Sequence, residues 1–311
     1  MLFAVALDAL VGWPQWLYER IGHPVTWIGR TITFVDRVLN VSGASSLALK
    51  SRGIGAWIAV VSAAVVPAFL LQNTLPADGP LRVMIIGFLA WPFVAARSLY
   101  AHVAAVAEPL ERNELRGARK AVAMIVGRDT TNLDEAGISR AAIESLAENA
   151  SDGVVAPLFW GVLFGLPGIA GYKAVNTLDS MIGHKTPRHE AFGWASAKID
   201  DAANYLPARL TAALLAAVSG RPVAVLRSTL ANAKFHRSPN AGWPEAAMAS
   251  ILGLRLSGPR IYHDRVAGEP WLNESGADAS ASDIRRALRV YLFAMALLAA
   301  IGAAGVVTSR T

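Results

Sequence analysis

The chain has no cysteine among its 311 residues. Disulfides, thiolate catalysis and cysteine-ligated zinc or iron–sulfur centres are therefore excluded, while the compartment stays open. Charge is also scarce: 17% of residues are Asp, Glu, Lys or Arg, against about a quarter in ordinary soluble domains. No Walker P-loop, Gly-x-Gly-x-x-Gly, His-Glu-x-x-His or Gly-x-Ser-x-Gly motif occurs, so a nucleotide would have to bind without a standard phosphate loop. The net charge of +6 is spread over several loops and forms no basic stripe with interleaved aromatics, which argues against nucleic acid. Internal repeats, low-complexity tracts and convincing strand patterns are lacking too. The N-terminus has no basic n-region and its first charge is Asp8, so residues 1–18 read as part of the mature protein.

What is present is apolar sequence. Hydrophobic residues make up 54% of the chain and the mean hydropathy is +0.39, a membrane-protein balance. Ile54–Leu75 and Val290–Ser309 are uncharged and long enough to cross a bilayer core. Val83–Tyr100 is a third segment with a shorter apolar centre, flanked by Arg82 and Arg97. Residues 2–18 are a weaker candidate because of Asp8, Gly12 and Pro14, and 206–220 is short and contains Arg209. The 72–81 connection has no Lys or Arg, whereas 19–53 has five and 97–152 has seven, which places the two basic stretches in the cytoplasm. Residues 153–172 form an uncharged run of 20, but Pro157 and Gly165-Leu166-Pro167-Gly168 interrupt it. A broken or re-entrant hairpin is expected there, returning the flanking polar segments to one side. The fold class is thus an all-α polytopic membrane protein. It should have roughly four to five membrane segments and large cytoplasmic helical loops, built as a single domain over residues 1–311.

The polar residues concentrate beside these apolar runs. In "ESLAENASD" the carboxylates Glu144, Glu148 and Asp152 stand four apart, on one face of a helix expected to start at "TNLDE" with Asn132 and Glu135 at capping-box spacing. "YKAVNTLDSMIGHK" supplies Lys173, Asn176, Asp179 and Lys185, and "KIDDAANYLPAR" supplies Lys198, Asp200, Asp201, Asn204 and Arg209. An Asn three residues from an Asp recurs in all three segments. Carboxylate plus amide oxygen suits magnesium, and the cations suit phosphate oxygens. Arg128 and Asp129 in "VGRDT" read either as a phosphate fork and ligand or as a plain turn. "NAKFHRSPNAGWPEA" adds His236, Ser238, Asn240 and Glu245; with no partner evident, His236 reads as a hydrogen bonder ahead of a general base.

These segments, in this order and together with "HPVTWIGR" near the start, resemble the adenosylcobinamide-phosphate synthase (CobD/CbiB) family of cobalamin biosynthesis over essentially the whole chain. The resemblance implies a bacterial inner-membrane protein with its active site facing the cytoplasm. It implies an ATP- and magnesium-dependent ligase that joins adenosylcobyric acid to (R)-1-aminopropan-2-ol or its O-phosphate. The implied partners are the corrinoid, the amine and membrane lipid, with further copies of the chain or other corrinoid-pathway enzymes as protein partners. Within that chemistry Glu148, Asp152, Asp179 and Asp201 are expected as metal ligands, with Glu144, Glu148, Lys173 and His236 as catalytic groups. Arg128, Asp129, Asn149, Asn176, Lys185, Asn204, Arg209, Ser238, Asn240 and Glu245 are expected to contact substrate or phosphate. The chain departs from the family pattern at Gly12-Trp13-Pro14, where Gly-Asp-Pro is usual, and at Gly183-His184-Lys185, where Gly-Tyr-Lys is common. Two other classes compete: a corrinoid-binding membrane scaffold or transporter, and a CDP-alcohol phosphotransferase. The latter's Asp-rich motif fails at Pro157.

Overall fold

The computed structural model describes residues 1–76, 79–262 and 265–308; two residues of the 72–81 connection and the expected span end Ser309 lie outside them. The helices are α1 (Leu2–Leu10), α2 (Gln15–Ile21), α3 (Pro24–Leu39), α4 (Ser46–Thr74), α5 (Pro80–Ala90) and α6 (Ala96–Glu111). They continue as α7 (Leu115–Ala123), α8 (Glu135–Ala150), α9 (Ala156–Ile182), α10 (Trp194–Ala203) and α11 (Tyr205–Ala217). The series ends with α12 (Pro222–Asn232), α13 (Gly242–Leu252) and α14 (Ala281–Thr308). Four stretches are long and apolar enough to cross a membrane: Ser46–Thr74, Pro80–Glu111, Glu135–Ile182 and Ala281–Gly305. The all-α polytopic architecture expected from composition is the one observed.

Contacts divide the chain into two compact units that interleave in sequence. Unit 1 is Met1–Ala95 with Ala156–Asn204, and unit 2 is Ala96–Val155 with Tyr205–Thr311. In unit 1, α3, α4 and α9 close over Ile32, Ala56, Val60, Ala174, Leu178, Ile182 and Phe192. Gly53 lies against the Phe192 carbonyl, so no side chain could stand there. In unit 2, α8 is buried on nearly every face, with Ile138, Ile143 and Leu146 packed among α6, α7, α13 and α14.

The interrupted segment is a helical hairpin. Gly165 takes φ 69°, ψ −146°, which breaks α9 into arms 156–164 and 166–182. A Cβ at Gly161 would lie 3.3 Å from that of Ile169, and one at Gly168 would strike the Trp160 carbonyl. In a straight helix, residues eight apart are separated by roughly 12 Å of rise, so the chain has doubled back. The Leu166 N–H donates to Gln72 Oε1 (2.7 Å), fixing the tip beside the C-terminal end of α4. The second arm then runs antiparallel to α4, with Gly171 against Val65 and Ile182 in the cluster with Ala56.

Several boundaries differ from expectation. Val83–Tyr100 is not one helix: Trp91–Phe93 forms a 3-10 turn and Val94 is extended. Pro92 lacks the N–H that would have continued the ladder. Residues 2–18 end a helix at Leu10, since Gly12 has φ 65° and Pro14 restarts the chain as the cap of α2. The 206–220 segment is a 13-residue helix, roughly 20 Å long and short of a bilayer core. The cap of α8 is Asp134, whose carboxylate accepts the Gly137 N–H (2.8 Å), rather than Asn132. Short strands do occur: β1 (Leu256–Ser257) pairs with β4 (Trp271–Leu272), and β2 (Arg260–Tyr262) pairs with β3 (Arg265–Ala267). Two- and three-residue strands are too short to show a period of two in sequence.

Candidate functional site

Unit 1 carries an acidic cluster on the second arm of α9 and on α10. Asp200 is buried, and its Oδ2 accepts from Asn204 Nδ2 (3.0 Å). Asn204 is itself held by the Tyr172 hydroxyl, which donates to its Oδ1 (2.8 Å). The Asn176 amide also faces Asp200, yet Oδ1 has no hydrogen bond of good geometry. Burial first, and then the Asp179 charge, push the Asp200 carboxyl up to about 7 against the opposing amides. Asp201, one residue on, is more exposed; burial raises it, and the charges of Lys198 and Lys185 oppose the rise. Its pair with Lys198 is long, at 4.0 Å. Gly183 lies so close to the Asp179 carboxylate that any side chain there would displace it, which explains a glycine at the end of α9.

His23, at the start of α3, belongs to the same unit. Its Nδ1 accepts the Val25 N–H (3.2 Å), which places the ring proton on Nε2. Burial, then the Lys173 charge, push His23 down to about 4, so it is neutral near pH 7. The motif "HPVTWIGR" drew attention to this segment without giving His23 a role. Asp200 and Tyr172 are likewise part of this cluster without having been expected to act there. The spacing favoured Asp201, which stands three residues from Asn204, whereas burial distinguishes Asp200.

Unit 2 treats its charges differently. Glu144 is buried, but its Oε2 meets Arg128 (3.2 Å) and its Oε1 accepts the Ser257 N–H (2.7 Å). Ser257 takes the left-handed φ of 61°, which aims that N–H at the carboxylate. The shared face expected of Glu144, Glu148 and Asp152 does not give a shared environment. Glu148 is exposed and Asp152 half-buried, and Ser151–Val155 is a π-turn that shifts the register after α8. Asn149 donates back to the Ser145 carbonyl (2.9 Å).

The remaining expected residues sort by their contacts. Asp129 Oδ1 accepts from both the N–H (2.9 Å) and the hydroxyl (2.7 Å) of Thr131, the turn reading of "VGRDT". Ser238 Oγ accepts from the Asn240 and Ala241 N–H groups and shapes the entry to α13. His236 does have a partner: its Nε2 lies 3.5 Å from Glu245 Oε1, both side chains being almost fully buried. Its Nδ1 accepts the Ser238 N–H (3.0 Å), which places the ring proton on Nε2, the nitrogen on the Glu245 side. Arg209 donates to Asn240 Oδ1 (3.2 Å), and its guanidinium sits over Tyr205 (3.5 Å) and Trp243 (4.5 Å). Sequence reading did not identify those two aromatics. Lys185 is exposed and Lys173 half-buried.

The expected metal ligands belong to both units, Asp179 and Asp201 to unit 1, Glu148 and Asp152 to unit 2. Among the described residues, no three His, Asp or Glu side chains form a group ready to hold a metal ion. The donor set still fits magnesium, which keeps several waters and is commonly held by one or two carboxylates plus substrate phosphates. Asp179 and Asp200, with an open oxygen on the latter, meet that requirement.

Comparison with known proteins identifies the family. The chain is 57% identical over 296 residues to the cobalamin biosynthesis protein CobD of Rhodobacter capsulatus, covering 95% of this chain and 93% of that one. It is 46% identical over 310 residues to the protein of that name from Sinorhizobium fredii, covering 97% and 95%. No solved structure matches. The family model described as CobD/Cbib protein matches residues 1–291, and the chain belongs to that family.

Proposed function

We propose that this membrane protein acts in cobalamin biosynthesis as an ATP-dependent ligase. It would join a propionate carboxylate of adenosylcobyric acid to the amine of (R)-1-aminopropan-2-ol or its O-phosphate. A carboxylate does not condense with an amine at neutral pH. Transfer of the ATP γ-phosphoryl to the carboxylate would make an acyl phosphate, and attack by the amine would release inorganic phosphate and one proton. Magnesium, when bound, would supply charge neutralisation on the phosphates.

The chain's own residues divide the work. Asp179 and Asp200 would hold the ion, Asn204 and Tyr172 would fix the Asp200 rotamer, and Asn176 would orient its second oxygen. Asp201 is more peripheral. Lys173 suits phosphate oxygens beside these acids, and the aromatic faces around Arg209, in unit 2, hold its plane. Glu144 is committed to Arg128 and Ser257, so it serves better as a structural counter-charge than as the amine's base. The buried His236–Glu245 pair has its Nδ1 taken by the Ser238 N–H and its ring proton on Nε2, so it suits a positioning role rather than that of the amine's base.

One observation carries this reading: a buried carboxylate, Asp200, stands beside another acid with an oxygen left open. The test is protein purified in detergent and given adenosylcobyric acid, magnesium, ATP and each amine in turn, with mass spectrometry of the corrinoid. A mass gain of one amide, absent without ATP and in Asp179→Ala, supports the ligase. No gain with either amine, in folded protein, overturns it and favours a corrinoid scaffold or transporter.

A further inference from the structure

Unit 1 contains a second feature that the proposed chemistry leaves unused. A cavity of about 470 Å³ opens between α2, α3, the half of α4 remote from its basic N-terminal end, the α5–Trp91 turn and the hairpin tip. The volume lies in the range of small-molecule pockets, roughly 300–1,000 Å³. Its walls are almost entirely apolar, with Val60, Ala64, Pro67 and Ala68 from α4 facing Trp13 and Trp91. The polar groups on the wall are mostly spent. Trp27 donates its indole N–H to the Ile21 carbonyl (2.8 Å), and Thr31 donates its hydroxyl to the Trp27 carbonyl (3.0 Å). Trp13 Nε1 is buried and makes no hydrogen bond.

The cavity is not sealed from the surface. Ile21, Trp27, Leu71 and Phe88 line it and are themselves 50%, 46%, 42% and 56% exposed. Leu71 and Phe88 belong to stretches long and apolar enough to cross a membrane, and α4 has only 11% of its apolar window buried. The mouth is therefore continuous with the surface that faces hydrocarbon. Water would gain no hydrogen bonds inside, and an empty apolar space of this size forfeits dispersion contacts along its whole lining.

We propose that this cavity is a lipid site that takes one acyl chain of a membrane glycerophospholipid, packed against the Trp13 and Trp91 rings. The chain enters from the bilayer between α4 and the α2–α3 corner and packs on Leu166 and Ala170. Those residues lie at the start of the hairpin arm that later carries Asp179. The lipid so braces the tip of a segment whose backbone is broken at Gly165.

The probe is a phosphatidylcholine with a diazirine on one acyl chain, incorporated into nanodiscs with the full chain, photolysed and mapped by peptide mass spectrometry. Labelling is expected to concentrate on 60–71 and 166–170, at least fivefold above the exposed face of α14 around Phe293. Ala64→Phe fills the space and should remove that excess while leaving α14 labelling unchanged. Ala68→Leu fills less of the space and should lower the excess about threefold. Should Ala64→Phe fail to fold, Ala68→Leu serves the same comparison. Even labelling of all exposed helices, or an excess indifferent to these substitutions, overturns the proposal. Displacement of the label by adenosylcobyric acid overturns it as well, because the cavity would then be a substrate site.

Discussion

Two buried carboxylates, one in each unit, show opposite treatments of the same cost. Glu144 in unit 2 has Arg128 on one oxygen and a backbone N–H on the other. Asp200 in unit 1 has two amides and an acidic neighbour, with one oxygen left over. Desolvation is offset in the first case by a cation built into the fold, and in the second by protonation or by an ion from outside. The contrast is between a charge paired within the fold and one with an oxygen left without a hydrogen bond.

The comparison can be broken experimentally. Alanine at Asp179 or Asp200 should lower amide formation by about 10³-fold with no loss of melting temperature, read as the rate of corrinoid mass gain. Equal loss of stability would make the acids structural. Arg128→Ala should do the reverse, costing about 3–5 kcal/mol by leaving Glu144 unpaired in the interior. Arg128→Ala with Glu144→Gln should recover part of that loss in thermal melts. A raised carboxyl such as Asp200 contributes stability that is full below the unfolded value near 4 and is lost as pH rises toward about 7. Asp200→Asn should therefore stabilise metal-free protein by ~2–4 kcal/mol at pH 8 and leave it unchanged below pH 4. Magnesium should stabilise the parent protein at pH 8 and not the variant.

Smaller effects test the supports. Gly165→Ala places a Cβ at φ 69° against the Gln72 amide and should cost about 1–3 kcal/mol in chemical denaturation. Tyr172→Phe removes one hydrogen bond to Asn204, with about 1 kcal/mol expected in stability and a several-fold fall in turnover. A Tyr172→Phe enzyme indistinguishable from the parent would detach that network from the site.

The hairpin shows how much of the fold could be read from the chain. Pro167 and the glycines around it mark a break in a run otherwise long enough to span, and they break it for local reasons of backbone geometry. Cap and strand details were less legible. Asn132 and Asp134 are both competent caps, and the choice fell to the residue whose carboxylate reaches Gly137. The site was legible as residue types beside apolar runs, but not as partnerships. Nothing in the spacing links Glu144 to Arg128 and Ser257, which are 16 and 113 positions away in the chain.

Sequence by itself determined the membrane class, the interrupted segment and the family, because hydropathy, Pro/Gly breaks and motif order are properties of neighbours along the chain. Tertiary structure alone decided which acid is neutralised and which is left open, that His236 has Glu245, and that Trp13 borders a cavity. Those depend on burial and on contacts between residues far apart in sequence, and no local pattern encodes them.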